Sequence, residues 1–100
     1  TPARVQEARA LGEKLARLRM ARQLRQADAA ARAGLARSTA VLIEKGDLGR
    51  TQAQILRYLE AIAPGLSLLQ LLQEVRAAAE ALDGDELRAL TGSGGNSPLP

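Results

Sequence analysis

The chemistry open to this chain is set first by what it lacks. It contains no cysteine and no histidine. A cysteine nucleophile, a disulfide framework and a Cys/His zinc site are therefore excluded. No pair of carboxylates is flanked by residues that suggest a cleft, and there is no glycine-rich phosphate loop. Asp83-Gly84-Asp85-Glu86 is better read as a turn and cap than as a metal site. An enzyme is not expected, nor is any cofactor. What remains is cationic hydrogen-bond donors, and these are unevenly spread. Residues 1–50 hold eleven Lys and Arg against five acids, a net +6, and residues 51–100 hold three against six, a net −3. A basic half suits a polyanionic partner, although a solvated helical surface gives the same count.

The elements that would carry these donors follow from composition and spacing. Tyr58 is the only aromatic residue of the 100, so the core must be built from Leu, Ile, Val and Ala. Ala and Leu favour helix, and strand formers are scarce, which predicts one all-α domain. Thr1-Pro2 can open a helix, so residues 1–10 form either a flexible arm or an extension of the next element. Leu11, Leu15 and Leu18 recur at helical spacing and predict a first helix over Leu11–Arg22, with Leu24 as a core plug.

A second helix is expected over Gln26–Ala33, with Asp28 in its first turn and Ala27, Ala30 and Ala31 as a small-residue face. Gly34 would stop it, and Leu35 would return to the core. A third helix, Arg37–Lys45, closes on Gly46, with Ala40 and Ile43 on one face. Thr51 and Gln54 have capping-box spacing ahead of the stripe Ile55, Leu59 and Ile62. Pro64-Gly65 breaks that helix. Ser67 and Gln70 repeat the capping signal for a last helix, Leu68–Leu82. The run Thr91–Pro100 reads as a disordered tail. Nothing reads as a signal peptide or a membrane span, because Leu66–Val75 is too short.

Two short helices joined through a glycine turn match helix-turn-helix geometry, as they would in many helical bundles. Residues 11–62 carry more than that. Leu11-Gly12-Glu13 and Arg19 in the first helix come first, then Leu24, Gln26, Ala30 and Gly34. Arg37-Ser38-Thr39 and Ile43-Glu44-Lys45-Gly46 complete the set. With these residues at these spacings the chain resembles the Cro/C1-type (XRE, phage-repressor-like) helix-turn-helix family.

The resemblance implies a five-helix lambda-repressor-like DNA-binding domain over residues 11–65. Residues 66–90 would then be a C-terminal helical segment, and its Leu66, Leu68, Leu69, Leu71, Leu72 and Val75, more apolar surface than one helix stripe needs, point to a dimerisation role. Gln26 would hold a phosphate of double-stranded DNA, with help from the helix N-terminus. Arg37, Ser38, Val41 and Leu42 would lie on the exposed face of the recognition helix. Lys45 and Gly46 would approach a phosphate through side chain and backbone. Arg19 and Glu44 would form a structural ion pair. Each residue has a plainer reading: Gln26 and Arg37 as solvated surface, Ser38 as a first-turn residue, Lys45 as a favourable helix C-terminus.

Two departures from the family matter. Ala36 stands where a Ser or Thr usually caps the third helix. Leu42 stands where Arg, Lys or Gln is usual, and with Val41 it would leave two adjacent aliphatics exposed, open to a thymine methyl or a protein partner.

The function implied is a transcriptional regulator, a repressor binding a palindromic operator as a homodimer, in the cytoplasm at the nucleoid. Gly49 through Leu72 is loosely similar to the C-terminal part of HipB-like antitoxins. That implies an alternative, an autorepressing antitoxin with a toxin partner protein. A protein-binding helical module is the third reading.

Overall fold

A computed structural model describes residues 1–91, which form α-helices with no strand among them. The helices are α1 (Pro2–Ala21), α2 (Gln26–Ala33), α3 (Arg37–Lys45), α4 (Gln52–Ile62) and α5 (Leu68–Thr91). None is long and apolar enough to cross a membrane.

Helix α1 starts earlier than its leucine stripe requires. Thr1 caps it through its hydroxyl, which accepts from the Arg4 N–H, and Pro2 fills the first helical position. There the missing proline N–H costs nothing. Residues 1–10 are thus a helical extension. It carries little core, since only Ala8 and Ala10 of that segment are even half-buried.

The core contains Leu15, Ala29, Ala30, Ala40, Ile43, Tyr58, Leu59, Ile62 and Leu71. Leu11, Leu18, Leu24, Leu35 and Ile55 pack against it from its margin. Both expected plugs, Leu24 and Leu35, therefore serve as such. Helix α2 packs on both α3 and α4, while α1 packs on α3, α4 and α5.

The small-residue face of α2 differs from the expected one. Ala29, Ala30 and Ala33 are buried, and Ala27 and Ala31 are exposed. Five alanines in eight residues leave the sequence without a contrast that would mark the inner face.

Helix ends are fixed by local chemistry. Gly34 (φ 71°) ends α2 in the left-handed region, and the Leu35 N–H returns to the Ala30 carbonyl at 2.9 Å. Gln23 does the same after α1 at φ 58°, without glycine's freedom. Thr51 and Gln54 form the expected capping box. Ser67 and Gln70 exchange the same pair of bonds, at 3.0 and 3.1 Å.

Helix α5 runs unbroken to Thr91, so the expected stop at Leu82 and the turn at Asp83–Glu86 are not observed. One glycine in a helix costs about 1 kcal/mol, which the Ala, Leu and Glu around Gly84 can carry. The tail reading lies outside the described residues from 92 onward.

Candidate nucleic-acid interface

The two short helices are held by a half-buried polar cluster at the base of α3. Arg19 from α1 grips the Glu44 carboxylate with both faces of its fork. Nε donates to Oε2 at 2.7 Å and Nη2 to Oε1 at 3.1 Å. The remaining Arg19 nitrogen, Nη1, donates to the Leu24 carbonyl at 2.8 Å, tying in the turn before α2. The side chains are 14% and 7% exposed, so this is a largely dehydrated pair. Such a pair survives only when its other lone pairs are met.

Two further donors meet them. Gln26, the first residue of α2, donates Nε2 to Oε1 at 3.0 Å, and the Tyr58 hydroxyl of α4 donates to Oε2. One carboxylate thus joins α1, α2, α3 and α4. Burial, and then the hydrogen bond to Glu44, raises the Tyr58 phenol far above its ordinary pKa. The hydrogen bond to Glu44 raises the Arg19 guanidinium in turn.

The ion pair Arg19–Glu44 is the one that the family resemblance implied. Tyr58 and the inward bond of Gln26 were missed. A signal for Tyr58 existed: a lone hydroxyl sits beside the apolar stripe Ile55, Leu59 and Ile62, and a buried phenol needs an acceptor.

A second constraint is backbone-on-backbone. A methyl on Gly12 of α1 would lie 2.5 Å from the Glu44 carbonyl oxygen and 2.8 Å from the Gly46 nitrogen. A methyl on Gly46 (φ 78°) would lie 2.6 Å from the Ala8 carbonyl oxygen. Only glycine fits either position, so α1 and the end of α3 meet without intervening side chains.

The other side of α3 faces outward. Arg37, Ser38 and Lys45 are exposed. Val41 and Leu42, expected to be exposed, are half-buried. A nine-residue helix docked on two others shades its flanks. The turn beyond it also folds back, with the Asp47 N–H donating to the Leu42 carbonyl at 3.0 Å. Gly46 is half-buried, and its N–H donates to the Ile43 carbonyl at 3.1 Å. Neither α2 nor α3 has a side-chain cap; Arg25 and Ala36 stand at those positions.

Arg22 and Arg25 are exposed as well, and Arg22 Nη1 donates to the Ile62 carbonyl at 3.4 Å. Among the described residues no cluster of acids suits a metal ion. Comparison of the chain with family models, with curated proteins and with solved structures gives no match.

Proposed function

We propose that this chain binds double-stranded DNA through α2, the Gly34 turn and α3, as a sequence-specific transcriptional regulator. The observation that carries the reading is the two-sidedness of α3. Its inner side is fixed by Ala40, Ile43, the Glu44 cluster and the glycine contact with α1, while Arg37, Ser38 and Lys45 stand free on the outer side. A reading helix must be held rigidly by one side and be unoccupied on the other.

In this reading α3 enters the major groove with Arg37 and Ser38 leading. Arg37 makes bidentate bonds to guanine. Val41 and Leu42, half-shaded, add apolar contact to a thymine methyl. Lys45 and Gly46 lie against the backbone. Gln26 has one amide hydrogen on Glu44 and offers the other to a phosphate beside the uncapped start of α2. The chain acts as a repressor and as a homodimer, and the exposed Leu69 and Leu72 of α5 supply the twofold contact. The operator is then an imperfect palindrome with half-sites about ten base pairs apart.

The test is a fluorescence-anisotropy titration against duplexes selected from a random pool. A dimer making about eight phosphate contacts gives a log–log salt slope near −7. Arg37→Ala costs about 1–3 kcal/mol and relaxes the preference at one base pair per half-site. Lys45→Ala weakens all sequences alike. Absence of duplex binding at low salt overturns the reading. The antitoxin alternative draws on Leu56, which is also exposed within Gly49–Leu72, and expects co-purification with a kinase-like toxin.

A further inference from the structure

Glu44 closes the joint between four helices, and each of its oxygens accepts two bonds. Oε2 accepts from Arg19 Nε and from the Tyr58 hydroxyl, and Oε1 accepts from Arg19 Nη2 and from Gln26 Nε2. Tyr58 is fully buried, and the Arg19 and Glu44 side chains are largely covered. Gln26, half-buried at the first position of α2, is the member of the cluster that belongs to the proposed interface.

A carboxylate only accepts hydrogen bonds, whereas a glutamine amide has a donor on one side and an acceptor on the other. At 3.0 Å from Oε1 the amide must therefore present its nitrogen. Turned over, it would set its carbonyl oxygen against a carboxylate oxygen, which exchanges a charge-assisted bond for repulsion. A glutamine free in solvent samples both orientations and several rotamers, and ordering it on binding costs affinity. Glu44 imposes that order before DNA arrives. A bare carboxylate next to the DNA backbone would repel it, but the two bonds from Arg19 balance this charge.

We infer that Glu44 is a positioning residue for DNA: it fixes the Gln26 amide so that the second hydrogen of Nε2 is the one offered to a phosphate. The inference rests on the DNA-binding reading above, and it gives Glu44 a task beyond its ion pair with Arg19.

Two measurements on the full chain test it. The first is nitrogen-edited NMR of the free protein. The two side-chain amide protons of Gln26 should be strongly separated, one of them shifted by its bond to the carboxylate. Arg19→Met combined with Glu44→Gln removes both charges together, so neither is left buried alone. In that variant the pair should collapse to the positions of a solvated glutamine. The second is binding to operators in which one phosphate per half-site is replaced by a neutral methylphosphonate. For the wild type, one position should weaken binding about tenfold, the loss of a charge-assisted hydrogen bond. That penalty should vanish in Gln26→Ala and in the double variant, while the penalty at the phosphate assigned to Lys45 persists in both. A wild-type Gln26 amide at solvated positions overturns the inference. So does a double variant that keeps the full penalty at the Gln26 phosphate, and in that case the DNA-binding reading stands. A wild type that binds no duplex at low salt overturns both.

Discussion

At the scale of single residues, the fold turns on how one carboxylate is satisfied. Glu44 receives two bonds from Arg19, one from Gln26 and one from Tyr58. Arg19→Met strips it of its countercharge and should cost about 3 kcal/mol in urea unfolding, because an uncompensated buried charge remains. Tyr58→Phe removes one donor of four and should cost about 1–2 kcal/mol. It also changes the pH profile. The Tyr58 phenol has a folded-state pKa raised above its unfolded value of about 10. Its contribution is complete below that value and is lost as pH rises above it. Above about pH 10 the wild type should therefore lose stability by a component that Tyr58→Phe lacks, seen in the difference of the two stability–pH curves. Gln23 holds a conformation that suits glycine, and Gln23→Gly should raise stability by about 0.5–1 kcal/mol, the relief of strain exceeding the added freedom of the unfolded chain.

At the scale of elements, the helices dock through their backbones as much as through their side chains. Gly12→Ala forces a methyl into the Glu44 carbonyl, where nothing flexible can yield. It should cost about 2–3 kcal/mol by thermal or urea unfolding, and any compensating shift of α3 would show as altered amide shifts from Arg37 to Lys45. The extents of α2 and α3, their glycine stops and both capping pairs were legible from the sequence, since each rests on residues adjacent in the chain. The Arg19–Glu44 pair was legible only through family resemblance, because 25 residues separate its partners. Three features were not legible. The inner face of α2 was hidden by its alanines. The length of α5 was hidden by Gly84, which punctuates most helices but not this one. The partners of Gln26 and Tyr58 depend on where α4 crosses α2, which no local pattern encodes.

At the scale of the whole molecule, α5 is the element whose apolar surface exceeds what the bundle covers. Leu68, Leu71 and Val75 pack inward, Leu71 completely, while Leu69 is 73% exposed. Burial of Leu71, with Leu68 and Val75 beside it, sets the rotation of α5 and so turns Leu69 and Leu72 outward, and a half-exposed Lys14–Glu74 salt bridge of 3.0 Å lies alongside. If those leucines form the dimer contact, Leu69→Lys with Leu72→Lys should shift sedimentation to the monomer with little change in helix content. Sedimentation that is unchanged by the pair sinks that assignment. The position of Tyr58 carries one more consequence. It is the only aromatic ring in the chain, it is fully buried, and its hydroxyl sits on a carboxylate. Hydrogen bonding of a phenol to a carboxylate quenches tyrosine emission, so the native protein should be dim and should brighten on unfolding. With no other chromophore to interfere, the near-ultraviolet signal reads one atom pair. Without any label, the protein reports optically whether the joint between its four helices is closed.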